Sequence, residues 1–228
     1  MATNFFSKNL WTAVALTLTL GVTFSAFAYA NTLSTVETVA LNTNFYYLVR
    51  EDMQMEAGAE FIKLDGGAGY LLEHDGKDCV ALSVYLRETD GETVLRNLEK
   101  DGKEARLIRM NAQKLYLKSS KEKEFATRYQ GAFQSLYGCM QVLEECVFRL
   151  EKGMTQESCK RLLNTLKNQF SYLEKEYEGD FEKCAAVCKE VKAWLTEMIS
   201  NTVYLKDLRY LSCWLAEEYV SLADGFSL

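Results

Sequence analysis

The sequence contains no proline, one histidine and no excess of basic residues. Without proline the chain has no proline-rich linker and no proline-induced break within a helix. The histidine, His74, stands beside an Asp-Gly pair, so we expect a solvated turn residue there. The net charge of −6 argues against the basic stripe with which proteins contact nucleic-acid phosphates, and we expect no nucleic-acid partner.

Sequence signatures of common catalytic centres are also missing. The sequence shows no Ser-His-Asp or Cys-His signature. The glycine-rich run at residues 66–69 lacks the Lys-Ser/Thr pair of a phosphate-binding loop. We therefore expect a protein that is not an enzyme, with no catalytic residues and no cofactor.

Seven cysteines are present, and an odd number excludes a fully paired set of intramolecular disulfides. Five of them recur at apolar positions of predicted helices, where a free thiol behaves as a small hydrophobic group. We expect buried thiols and no metal site. Disulfides and a zinc site built from four of the five remain as alternatives. The five are Cys139, Cys146, Cys159, Cys184 and Cys188.

The N-terminal segment carries no charged side chain between residues 10 and 30. Because roughly 20 apolar residues can cross a bilayer as a helix, we expect residues 10–30 to form a single-pass membrane anchor. Small residues at Ala28 and Ala30 also fit a signal-peptidase site, so a cleaved signal is the alternative. Both interpretations place the bulk of the chain outside the cytoplasm, at the cell membrane or secreted.

Beyond residue 30 the sequence predicts an α+β protein in three parts. Residues 31–44 are rich in Asn, Thr and Ser and predict a tether, residues 45–118 predict an α+β unit, and residues 119–228 predict a helical bundle. Aromatic and β-branched runs alternate with helical patterns in the order β-α-β-β-α-β. The predicted strands are 45–50, 70–73, 80–85 and 105–110, with helices at 53–64 and from Thr89 or Asp90 to Gly102.

The bundle prediction depends on apolar residues that recur at alternating steps of three and four. This spacing is typical of helices that pack at a small angle, and short connections favour antiparallel neighbours. Breaks at Gly153, Gly179 and Asn201 divide the pattern into four helices. The longest series is Phe125, Tyr129, Ala132, Leu136, Cys139, Leu143, Cys146 and Leu150.

The α+β unit resembles a SPOR domain, the sporulation- and division-related module that binds peptidoglycan. The similarity is best in Val80-Ala81-Leu82-Ser83-Val84-Tyr85, the helix that follows to Gly102, and Glu104 to Ile108. Tyr85 stands where the family usually has phenylalanine. The resemblance implies a β-α-β-β-α-β sheet unit outside the cytoplasm with a glycan ligand.

Strand alternation then gives candidate glycan-binding residues. If Phe45, Tyr47 and Val49 face helices, Tyr46 and Arg50 face outward. On the third strand we expect Val80, Leu82 and Val84 on one face and Ala81, Ser83 and Tyr85 on the other. Tyrosine rings can stack on sugars while polar groups fix their orientation. The candidates are Tyr46, Arg50, Ser83, Tyr85 and Arg87. The alternative is that the bundle covers this face.

Two hypotheses for function follow. In the first, a membrane-tethered cell-envelope protein engages peptidoglycan glycan strands through its SPOR-like unit, in cell division or sporulation, while the bundle is a spacer or contacts a protein partner. In the second, the bundle makes the main contacts and the chain is a non-enzymatic assembly or scaffold protein.

Overall fold

The computed structural model describes residues 37–51, 55–117 and 120–225 and has an α+β fold. The predicted anchor or signal at residues 10–30 lies outside the described residues. Within them, no helix is both long and apolar enough to cross a bilayer. The elements are β1 (Glu37–Arg50), α1 (Met55–Leu64), β2 (Tyr70–His74), β3 (Lys77–Tyr85), α2 (Glu88–Lys100), β4 (Arg106–Leu117), α3 (Ser120–Glu124), α4 (Ala126–Glu151), α5 (Gln156–Tyr177), α6 (Glu182–Ser200) and α7 (Leu205–Asp224).

The four strands form one antiparallel sheet in the order β2-β3-β1-β4. With α1 and α2 as the two crossovers, this is the split β-α-β arrangement. The predicted β-α-β-β-α-β order is therefore confirmed. The hairpin expected at Asp75-Gly76 is present, because His74 pairs with Lys77 and both loop residues have positive φ angles of 53° and 70°.

β1 is longer than predicted. It begins at Glu37, so residues 37–44, which we expected to belong to the tether, pair with β4. The register shifts between Ala40 and Thr43, and Asn42 between them has a φ of 51°. Asparagine tolerates this left-handed conformation better than most residues. The polar residues 37–44 thus belong to a bulged strand of the sheet and not to a tether.

A second irregularity lies between β1 and β3. Leu48 pairs with Ser83 but Val49 pairs with Ala81, which leaves Leu82 as an extra residue. Such a bulge reverses the alternation of side chains on either side of it. Ala81 and Val84 therefore share the main core, whereas Val80 packs with Ala59 and Ile62 of α1. The predicted grouping of Val80, Leu82 and Val84 on one face is wrong for this reason.

Helices α4 to α7 form an antiparallel four-helix bundle, because contacts join opposite helix ends. Arg128 near the start of α4 pairs with Asp180 just beyond the end of α5. The Gln156 amide at the start of α5 donates to the Val203 carbonyl beyond α6, at 2.9 Å. Arg209 early in α7 pairs with Glu151, the last residue of α4.

One face of the sheet packs against this bundle. Phe45, Tyr47 and Val49 are fully buried and belong to one hydrophobic cluster with the interior of α4 to α7. The Tyr47 hydroxyl donates to the Cys213 carbonyl of α7 at 2.8 Å. The rings of Phe45 and Tyr219 meet edge to face, with centroids 5.2 Å apart. The expectation that these strand residues face helices is confirmed.

Candidate functional site

The face of the sheet that holds the predicted glycan-binding residues is not open. Tyr46 pairs with Tyr85 in the register, and Leu48 with Ser83, so these residues do share a face. That face is covered by α1 and α2, because both β-α crossovers return over it. Tyr46 is only 9% exposed and Ser83 only 6%. The expectation that this sheet face is exposed is therefore wrong for Tyr46 and Ser83.

The five candidates divide between two cavities. Tyr46 and Arg87 line a cavity of about 690 Å³ between the bulged part of β1, the start of α2 and the middle of α4. Arg50, Ser83 and Tyr85 line a second cavity of about 220 Å³ between the sheet and its two covering helices. The structure therefore does not bring all five together in one site.

The smaller cavity has a mixed lining of polar, charged and apolar residues. Tyr85 and Ser83 are among the polar residues together with Arg209, which reaches over from α7 to the Gly66 carbonyl. Burial raises the pKa of Tyr85 to about 12, so its phenol stays neutral at physiological pH. A volume of about 220 Å³ is below the range of roughly 300–1,000 Å³ usual for ligand pockets. A glycan chain does not fit there.

The larger cavity, which we call the amide-lined cavity, has a wall of side-chain amides. Gln130, Gln134 and Gln141 lie on one face of α4 because helical residues spaced by three, four or their multiples align. Asn42 and Asn44 of β1 stand opposite them. Each amide offers a carbonyl acceptor and two N–H donors. The wall can therefore satisfy a ligand that presents many hydroxyl groups.

Aromatic rings form the back of the amide-lined cavity. Tyr46 and Tyr137 line it, and behind them Phe133 and Tyr219 meet edge to face at 4.9 Å between ring centroids. The hydroxyls of Thr43 and Tyr219 are hydrogen-bonded at 3.1 Å. Burial raises the pKa of Tyr219 to about 12 and also raises the pKa of Tyr137. The phenols of Tyr137 and Tyr219 are thus neutral hydrogen-bonding groups.

Little formal charge faces this cavity. Among the described residues that line it, Arg87 and Glu88 alone are charged. Arg87 is paired with Asp90, at 2.8 Å between Nε and Oδ2. A cavity with this balance has no excess charge with which to favour an ion over a neutral molecule.

A half-buried carboxylate links the two helices that border the cavity. Glu144 of α4 accepts a hydrogen bond from the Leu86 amide just before α2, at 3.1 Å. Burial raises the pKa of Glu144, and the bond from Leu86 opposes that rise. The start of α2, including Arg87, is therefore held against α4 rather than left as a free loop.

Sequence reasoning did not identify the glutamines of α4. They lie on the polar face of an amphipathic helix, and such a face is usually only solvated. The one signal was their common spacing with Tyr137, and that signal becomes informative only when a second element is known to lie opposite.

All seven cysteines are free and buried, which confirms the prediction of buried thiols. Burial raises the pKa of Cys139 and of Cys146 to about 12, with Cys188 and Cys159 respectively adding to the rise. These groups are therefore protonated thiols rather than nucleophilic thiolates at neutral pH. In the part of the chain that the structure describes, no three His, Cys, Asp or Glu side chains are grouped to hold a metal ion.

No protein-family model matches the chain, and no curated protein or solved structure matches it either.

Proposed function

We propose that this chain is a non-catalytic glycan-binding protein of the cell envelope. Its ligand is the peptidoglycan glycan strand, its binding site is the amide-lined cavity, and residues 10–30 hold it at the membrane. Of the residues first predicted to bind the glycan, Tyr46 and Arg87 keep that role in this proposal.

The single observation that carries the proposal is the chemistry of the cavity wall. Five side-chain amides and the phenols of Tyr46 and Tyr137 converge on a space with almost no net charge. A glycan presents hydroxyl and acetamido groups, which pair with amides, and ring faces, which stack on aromatic side chains. A nucleotide or phosphate ligand would instead favour a cluster of arginines or lysines.

The dimensions of the cavity support the same class of ligand. Its volume of about 690 Å³ lies within the range of roughly 300–1,000 Å³ for small-molecule sites. The exposed position of Gln134 and Gln141 at its rim leaves space for a chain to continue beyond the bound sugars.

The resemblance to SPOR domains supports the proposal from a separate direction. It concerns the sheet unit, whereas the chemistry of the cavity wall depends on residues of both the sheet and α4. In that family the sheet unit recognises glycan, and here the same unit contributes Tyr46, Arg87 and the two asparagines to the cavity. The bundle contributes the other wall, so in this proposal it is part of the binding site as well as a spacer.

Retention on purified peptidoglycan sacculi tests the proposal. The full-length chain, kept in a polyoxyethylene-ether detergent that presents no sugar, is mixed with sacculi before and after amidase treatment removes the stem peptides. We expect retention in both cases, and stronger retention on the treated sacculi. Absence of retention on either would contradict the glycan hypothesis and favour the assembly hypothesis.

A double variant localises the contact. Gln134→Ala with Gln141→Ala removes two exposed amides and replaces them with a better helix former, so the fold should be preserved. The loss of two hydrogen bonds of about 1 kcal/mol each predicts retention weakened by about tenfold or more. Asn164→Ala, at an exposed amide of α5 that does not line the cavity, is the matched control.

A further inference from the structure

A further cleft, separate from the two cavities that hold the glycan-binding candidates, lies on the bundle. It has a volume of about 390 Å³ and is formed by the end of α6 and the start of α7. The residues that decide its chemistry are Trp194, Tyr204 and Tyr210, which are aromatic, and Glu197 and Asp207, which are acidic. We call it the aromatic cleft.

Two aromatic rings of the cleft, those of Trp194 and Tyr210, are held in place by contacts with each other and with a neighbouring ring. Trp194 packs on Tyr210 with ring centroids 5.7 Å apart, and on Trp214 at 5.2 Å. Tyr204 stands at the mouth and is 55% exposed. An exposed tyrosine ring leaves apolar surface in contact with water, and a ligand that binds against the ring would bury that surface.

Negative charge converges on the same cleft. Burial raises the pKa of Asp207, and the proximity of Glu197 adds to the rise, while Lys206 and Lys63 oppose it. The last turn of α6 carries no basic residue, so the partial negative charge of the helix C-terminus is not offset within that turn. Carboxylates beside aromatic faces are the arrangement that attracts a cation.

The chain's own lysines illustrate this attraction. Lys63 Nζ lies 5.8 Å from the centre of the Tyr210 ring, and Lys206 Nζ lies 5.8 Å from that of Tyr204. Neither lysine lines the cleft. Two of the three rings of the cleft, those of Tyr204 and Tyr210, therefore already lie within cation–π distance of an ammonium group.

From this geometry we propose that the aromatic cleft binds an organic ammonium cation, with the rings enclosing the alkylated nitrogen and the two carboxylates supplying the counter-charge. The ligand class is a quaternary or highly alkylated amine. The proposal does not depend on glycan binding, because the two sites share no residue.

Choline and its neutral isostere 3,3-dimethylbutan-1-ol separate charge from shape. Each is titrated into the full-length, 15N-labelled chain at low salt in a polyoxyethylene-ether detergent, and the indole N–H signal of Trp194 is followed by NMR. We expect choline to shift this signal and to bind at least tenfold more tightly than the isostere. Equal affinity for the two, or no shift with choline, would overturn the proposal.

Three variants test which residues of the aromatic cleft bind choline. Glu197→Gln combined with Asp207→Asn keeps the shape and removes the charge, so the preference for choline over the isostere should disappear. Tyr204→Ala removes an exposed ring and should weaken choline binding several-fold. Glu190→Gln, at an exposed carboxylate of α6 that does not line the cleft, should bind choline as the unaltered chain does. Unchanged binding in the charge variant, with the circular dichroism spectrum preserved, would contradict the assignment.

Discussion

The two faces of the sheet are both covered, but by different kinds of packing. On the bundle side, Phe45 and Tyr47 are fully buried within the largest hydrophobic cluster of the molecule. On the side of α1 and α2, the cluster is small, and Arg50, Ser83 and Tyr85 line a cavity. One face is dry and aromatic, whereas the other keeps polar groups and space.

This difference indicates where stability and binding reside. The bundle-facing side joins two halves of the chain that are distant in sequence, so it should dominate the free energy of unfolding. The opposite side should tolerate substitution better. Neither face is available to a large ligand, and the amide-lined cavity instead lies at one end of the sheet, where β1 bulges towards α4.

Truncation of Phe45 should cause the largest loss of stability and should show the difference between the two faces most clearly. Phe45→Ala removes a fully buried ring from contact with Tyr219 and should lower the free energy of unfolding by about 3–5 kcal/mol. Tyr85→Ala, on the cavity side, should cost clearly less. Urea denaturation of the two variants measures the difference, and equal losses would remove the proposed asymmetry between the faces.

Replacement of a buried thiol of the bundle should cause the next largest loss of stability. Cys146→Ser places a hydroxyl group at a fully buried position, and we expect a loss of about 1–3 kcal/mol because that hydroxyl has to be desolvated. Ser83→Ala, which changes a buried hydroxyl on the other side of the sheet, is the control and should cost less than about 1 kcal/mol. Thermal unfolding measures both losses of stability, and a larger loss for Ser83→Ala than for Cys146→Ser would contradict the account.

The two tyrosine hydroxyls provide a finer comparison. Tyr47→Phe deletes the donor to the Cys213 carbonyl in the core and should cost about 1–2 kcal/mol. Tyr85→Phe deletes a hydroxyl that faces a cavity, where water can replace it, so its cost should be smaller. Chemical denaturation of both variants tests this, and a larger cost for Tyr85→Phe would argue against the dry character of the bundle-facing side.

Two helical glycines should give the smallest effects, with opposite signs. A Cβ at Gly131 of α4 meets no atom within 4 Å, so Gly131→Ala should stabilise by about 0.5–1 kcal/mol through helix propensity. At Gly91 of α2 a Cβ would lie 2.7 Å from Leu107 Cδ1 and 3.3 Å from Tyr85 Cδ2. Gly91→Ala should therefore give no stabilisation, or should lower the free energy of unfolding. Stabilisation by both, seen as a higher melting temperature, would mean that α2 packs loosely on the sheet.

The bundle was more predictable from sequence than the sheet, for a physical reason. Each bundle helix buries one stripe, so the three-four spacing alone identified Tyr129, Ala132, Leu136, Cys139, Leu143 and Cys146, all of which are buried. Strand alternation failed at the Leu82 bulge, because one extra residue reverses the faces and nothing in the local sequence marks it. The polar start of β1 was missed because its pairing with β4 is a long-range contact.

The candidate site was predictable only in part, for a related reason. Tyr46 and Arg87 were selected from the sheet alone, but the amides opposite them come from α4, more than forty positions further along the sequence. No pattern within residues 45–118 can predict a cavity wall that another element supplies. Strand alternation correctly predicted that Ser83 and Tyr85 share a sheet face with Tyr46, yet α1 and α2 enclose these two residues and Arg50.

Calorimetric titration with a soluble, peptide-free peptidoglycan tetrasaccharide tests the central claim most directly, with the full-length chain in a polyoxyethylene-ether detergent. We expect the unaltered chain and Asn164→Ala to bind equally, and the Gln134→Ala, Gln141→Ala double variant to bind about tenfold more weakly or not at all. No binding by the unaltered chain, or equal binding by the double variant, would contradict the assignment of the amide-lined cavity as a glycan site.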